Sequence, residues 1–190
     1  MKKLNPKAEK VLDVALELLK TEGDFGVTMR QVAVNAEMSL SNVQYYFKNK
    51  NELLKAMSDR YFKMCLDELR DMKIIHSKDT INEDIRVFLE DMLSHGLEVS
   101  EMCRIFREYW AISTRNDVIK EHVICYYREM SVILSDLLRP AAKSESGLSK
   151  AVSIIIPFIE GYSITAIAMP EDLKTTSDTL LRLIVNVLED

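Results

Sequence analysis

The stretch NAEMSLSNVQYYFKNKNELL, Asn35–Leu54, decides how the rest of the chain is read. A polar turn, two adjacent tyrosines, a phenylalanine and two lysines precede an apolar repeat. A helix buried on every side would not carry Asn42 and Gln44. A solvated one has no use for Tyr45, Tyr46 and Phe47. Local signals divide the segment. Ser39 caps a short helix whose inward residues are Val43 and Phe47. Asn49 followed by Glu52 is a capping box. It opens a longer helix through Leu53, Leu54, Met57, Tyr61, Met64, Cys65, Leu69 and Met72.

Working outward, Asn5–Pro6 pairs an N-cap with a proline at the first helical position. Val11, Leu12, Ala15, Leu18 and Leu19 then repeat at helical spacing until Gly23 and Gly26 end the helix. Thr28 with Gln31 is another capping box. It begins a helix with apolar positions Met29, Val32, Ala33 and Ala36. At about two turns this helix is too short to be stable alone, so it must pack on a neighbour. Beyond Met72 the pattern predicts five more helices near 80–96, 99–114, 117–139, 147–169 and 172–188. Loop signals at 76–79, 114–116, 140–149 and 170–172 separate them. No useful strand alternation occurs, and the chain reads as all-α with nine helices.

The first three helices satisfy the requirements of a helix-turn-helix. Ala33 supplies the small residue where the second helix crosses the first, and Val43 plugs the shared core ten positions later. The turn favours glycine about four residues after the alanine, because φ is positive there. This chain has Glu37, at an expected cost of roughly 1 kcal/mol.

Composition sets the class. The chain has 190 residues, 47% hydrophobic and 29% charged, which fits a globular protein with a buried core. Five Gly and four Pro are too few for a turn-rich β-sandwich. The net charge is −5, unevenly spread: residues 1–60 hold ten Lys/Arg against eight Asp/Glu, and residues 61–190 hold fifteen against twenty-two. A mildly basic front suits the approach of a polyanion. Cys65, Cys103 and Cys125 form no CxxC and suit a reducing compartment as free thiols. Met1–Lys10 is polar and shows no secretory leader. The most apolar window, Val152–Met169, is interrupted by Pro157, Glu160 and Gly161. It is expected to be a buried helix, not a membrane span. His76, His95 and His122 are isolated, and no HExxH, GxSxG, P-loop or GxGxxG is present, so no catalytic, metal or cofactor site is expected.

The segment TMRQVAVNAEMSLSNVQYYFKNKNELL resembles the DNA-binding signature of the tetracycline-repressor (TetR) family. The matching elements are Thr28, Val32–Ala33, Ser39, Tyr45–Tyr46–Phe47, Lys48/Lys50 and Leu53–Leu54, within a resemblance covering about residues 8–57. Three departures stand out. Glu37 replaces the turn glycine, Ser41 replaces a frequent glycine, and Gln44 stands where tyrosine is common. The resemblance implies a DNA-binding domain over 1–48 and an effector-binding and dimerisation domain over 49–190.

A recognition helix of two turns must hold to its support and also meet the major groove. Gln44 can pair bidentately with adenine, Leu40 and Tyr45 can touch a thymine methyl, and Ser41 can approach either base type. Thr28, Ser39, Asn42 and Tyr46 are placed for phosphate, with Arg30 and Lys48 as further cations. Lys50 lies in the first turn of a helix, where the macrodipole opposes a cation unless both share a phosphate.

Further along, Met64, Phe88, Met92, Phe106, Trp110, Tyr127, Phe158 and Tyr162 supply the thioethers and rings of an adaptable apolar site. Family resemblance puts an effector pocket there. Pro157 removes one backbone bond and is expected to kink its helix. The last two helices are apolar on more than one face, and Gly161 would let a partner helix approach. The resemblance implies a four-helix bundle between two subunits. The resulting expectation is a cytoplasmic, homodimeric regulator, not an enzyme and without cofactor. It would repress from a palindromic double-stranded operator until an apolar or amphipathic small molecule releases it. Control by a protein partner without a small-molecule pocket stays open, as does a helical enzyme or carrier that has lost DNA binding.

Overall fold

The computed structural model describes residues 5–72, 74–75, 77, 79–98 and 101–190. His76 lies outside them, as does the expected helix start at Val99. Among the described residues there are nine α-helices and no strand. They are α1 (Pro6–Gly26), α2 (Met29–Asn35), α3 (Leu40–Tyr46), α4 (Lys50–Asp71), α5 (Ile81–Leu97), α6 (Glu101–Ser113), α7 (Asp117–Leu138), α8 (Glu145–Thr165) and α9 (Leu173–Glu189). Short 3₁₀ turns follow α7 at Arg139–Ala141 and α8 at Ala166–Ala168.

The chain packs as two compact units. The first holds residues 1–65 and 104–126, and the second holds 66–103 and 127–190. The expected reading head, 1–48, lies wholly within the first.

In the first unit α1 buries Val11, Leu12, Ala15, Leu18 and Leu19, the stripe that its periodicity predicts, and Ala8 besides. α2 and α3 pack on each other and on α1. Val32, Ala33 and Val43 fill the space between them, and Phe47, just past the end of α3, is buried with them. Gly23 does not end α1 but kinks it. Its φ of 70° is left-handed and the chain re-enters helix as far as Gly26. Tyr61 and Phe62 of α4 meet Phe106 and Tyr109 of α6 and Tyr126 of α7 in a buried ring cluster. Phe62 stacks on Phe106 at 5.5 Å between centroids. Such ring pairs add to the area they bury.

The second unit is built on α5, α8 and α9, each packed on the other two. Arg86 of α5 pairs with Asp178 of α9, and Ser177 donates to Glu90 at 3.3 Å. Ser144 caps α8 through the Gly147 N–H, so the helix starts earlier than the apolar pattern suggests and runs on through Pro157. Glu145–Ala168 is long and apolar enough to cross a membrane, yet only 33% of its most apolar window is buried in the chain. The expectation of a buried helix is therefore only partly met. Ala151, Val152, Ile155 and Tyr162 face the core, whereas Phe158, Ile164 and Ile167 are exposed. A helix apolar all round has more such faces than its own core can cover.

Candidate nucleic-acid interface

The two short helices are set by their ends. Thr28 caps α2 by accepting the Gln31 N–H at 3.1 Å, and Ser39 caps α3 by accepting that of Asn42 at 3.2 Å. Between them α2 closes in a Schellman turn. The Met38 N–H reaches the Ala33 carbonyl at 2.9 Å and the Glu37 N–H that of Val34 at 3.0 Å. The turn needs one left-handed residue, and Glu37 takes it with φ 57°. The expected turn geometry is therefore kept without its glycine. Asn49 caps α4 by accepting the Glu52 N–H at 2.9 Å, and the Glu52 carboxylate reaches back to the Lys48 N–H at 3.1 Å.

With Val43 turned inward, α3 presents a polar outer row. Ser41, Asn42, Gln44 and Tyr45 are exposed, Leu40 and Tyr46 half-buried. Tyr45 is 81% exposed, although it packs edge-on against Tyr46 at 5.2 Å. A large aromatic left so open has its apolar contacts still to make. Thr28, Arg30, Ser39 and Lys48 are exposed as well. The two capping hydroxyls accept a backbone N–H, which leaves hydroxyl protons to donate. Ser39 and Ser41 lie 3.0 Å apart and share one such bond, so one proton of the pair remains for an outside acceptor.

Lys50 is tied back to the protein, with its side chain half-buried. Its ammonium donates to the Asp24 carbonyl at 2.6 Å and pairs with the Asp24 carboxylate at 2.8 Å. Arg115 reaches the other carboxylate oxygen at 3.0 Å. Burial of Asp24 opposes its ionisation, but the bonds from Lys50 and Arg115 prevail and hold its carboxyl below the usual range. The sequence reading missed Asp24 and Arg115. Their only local sign is an acid between two glycines, and the partners lie far apart in the chain.

The residues expected to line an effector site divide between the units. In the first, Met64 and Trp110 are about half exposed, and Phe106 is buried in the ring cluster. In the second, Phe88 and Tyr162 are buried, Met92 and Tyr127 half-buried, and Phe158 stacks on Tyr162 at 6.2 Å. Burial raises the Glu160 carboxyl above its ordinary range, against a hydrogen bond with Tyr127 that lowers it. Two hollows open on the second unit, and none of the expected residues lines either one. One of about 500 Å³ is lined by Arg70, Arg128, Glu129, Val132, Ile133, Asp136 and Leu137. The other, of about 310 Å³, lies among α5, α9 and the residues after α7.

Residues 11–57 match the family model of bacterial regulatory proteins of the tetR family. The chain is 53% identical over 186 residues to the HTH-type transcriptional regulator of the dhlA 5′ region in Xanthobacter autotrophicus, covering 98% of this chain and 92% of that one. Its fold is shared with SmeT, the repressor of the Stenotrophomonas maltophilia multidrug efflux pump SmeDEF. The TM-score is 0.67 at 20% identity, over 96% of this chain and 91% of SmeT. The multidrug binding protein EbrR, solved with proflavin, matches with a TM-score of 0.68 at 13% identity, over 93% of this chain and 99% of EbrR. The chain belongs to the TetR family of helix-turn-helix transcriptional regulators, DNA-binding proteins and not enzymes.

Proposed function

We propose that this regulator is a cytoplasmic homodimer that represses from a palindromic operator and is released by an apolar or amphipathic small molecule. Residues 1–48 read the operator, and 49–190 carry effector binding and dimerisation. The observation that carries this reading is the outer row of α3, open to solvent and rich in groups that suit base edges. Gln44 and Ser41 take the base edges, Leu40 and Tyr45 the thymine methyls. Thr28, Arg30, Ser39, Asn42, Tyr46, Lys48 and Lys50 take phosphates.

Support for the dimer comes from α8. Pro157, Phe158, Gly161, Ile164, Thr165 and Ala168 recur at helical spacing and are all exposed. A side chain at Gly161 would meet nothing within 4 Å, so the chain alone gives no packing reason for glycine there. A partner helix crossing closely at Gly161 supplies one. Two copies also read enough sequence to be selective, which one short helix cannot. For the effector, EbrR with proflavin is the pertinent likeness, with the rings and thioethers named above as the lining. One observation favours control by a protein partner instead: the expected lining residues border neither described hollow.

Selection of bound fragments from random DNA tests the reading. The expected product is an inverted repeat with half-sites roughly one helical turn apart. On that fragment Gln44→Ala changes preference at one base position, at about 1–3 kcal/mol. Lys50→Ala weakens binding to that operator and lowers its salt slope by up to about one. Proflavin and similar apolar cations are then titrated against the complex. Recovery of single, unpaired half-sites, or no fragment at all at low salt, refutes the proposal.

A further inference from the structure

We infer that Asp24 is a positioning residue for operator binding, the centre of a clasp by which the corner between α6 and α7 fixes the reading head. The inference rests on the proposal that α3 and the start of α4 face DNA.

Three ties converge on the end of α1 and the first turn of α4. Glu108 of α6 accepts the Asp24 N–H at 2.9 Å. Arg115 donates to the Asp24 carboxylate and, with its other terminal nitrogen, to the Ala111 carbonyl at 3.0 Å. Asn116 donates to the Asn51 side chain at 3.1 Å and also accepts the Ile119 N–H at 3.3 Å. Arg115 and Asn116 are thus anchored in α6 and α7 while they hold the head. Gly23 makes the first tie possible. Its left-handed φ turns the chain, and a side chain there would press on the Glu108 carboxylate at 3.1 Å.

Lys50 closes the arrangement from the other side, with two contacts to Asp24 and 35% of its side chain still exposed. An ammonium has three donors, so a phosphate can take what Asp24 leaves. The ion pair has two consequences. Lys50 is fixed for one phosphate geometry, which favours the operator. Its charge is also largely cancelled toward DNA at large, which suppresses binding elsewhere. Asp24 therefore contributes to discrimination from both sides, raising affinity for the operator and lowering it for unrelated DNA.

The test measures anisotropy on the selected operator and on an unrelated duplex across a salt series. Asp24→Asn is expected to weaken operator binding about tenfold. It should strengthen non-specific binding and steepen that salt slope by up to about one. Arg115→Gln lowers the operator-to-unrelated ratio without raising non-specific affinity, because Lys50 stays neutralised. Asp24→Glu recovers part of the ratio. The inference is overturned if both affinities are unchanged in Asp24→Asn and Arg115→Gln. It is equally overturned if both fall in proportion to a loss of folded protein in thermal melts. Lys50→Ala separates this from the reading beneath it. An unchanged slope there removes the phosphate role of Lys50, while the Arg115→Gln ratio still decides the clasp.

Discussion

The α3 helix of the reading head and the C-terminal half of α8 leave opposite kinds of surface exposed. Between α2 and α3 the inward apolar residues are used up locally, while Phe25 and Val34 elsewhere in the head stay exposed. Val32, Ala33, Val43 and Phe47 are buried, and what faces water on α3 is hydroxyl, amide and phenol. Toward the end of α8 and in the turn after it, Phe158, Ile164 and Ile167 face water. Exposed polar groups lose little by waiting for a polyanion. Exposed apolar area is unfavourable until something covers it. The first surface therefore suits an intermittent partner such as DNA, and the second suits a lasting one such as a second copy.

The largest expected effect tests the head's self-sufficiency. Phe47→Ala removes a buried ring beside a two-turn helix and should cost about 3–5 kcal/mol. Thermal melts should drop and operator binding should vanish, while sedimentation still finds a dimer. A variant that binds the operator normally would show that α3 is held by something else. Next, Ile164→Lys places a charge on the apolar face of α8. Its site is 63% exposed in the single chain, so folding should persist. Burying the charge in a dimer should cost about 3 kcal/mol, roughly a hundredfold in association. Sedimentation equilibrium should then shift toward the 21.9 kDa single chain. An unchanged dimer would move the interface off this face. The smallest effect concerns the turn. Glu37→Gly relieves a left-handed non-glycine residue and should stabilise by about 1 kcal/mol. It also removes the exposed Lys10–Glu37 pair at 3.4 Å, worth only a few tenths in water. A lower melting temperature would mean that the ion pair outweighs the strain.

Much of the fold was legible because its signals are local. Asn5, Thr28, Ser39 and Asn49 each cap the helix they were expected to cap, since a capping bond spans only two or three residues. The buried stripe of α1 follows from its period. The misreadings came where one residue had two possible uses. Gly23 looked like a stop and is a kink. Ser144 looked like loop and is the cap of α8. The outer row of α3 was legible because Val43 and Phe47 fix which side is inside. The state of Lys50 was not, because its partner Asp24 lies 26 residues away, and Arg115 lies 91 from Asp24.

The amino-acid sequence by itself determined the helices, their caps, the helix-turn-helix and the family, because propensity, periodicity and turn chemistry act over a few neighbouring residues. Only the tertiary structure decided that Asp24 gathers Lys50 and Arg115 and which faces of α8 stay open. Those outcomes depend on which distant side chains share a small volume, and no local pattern encodes that.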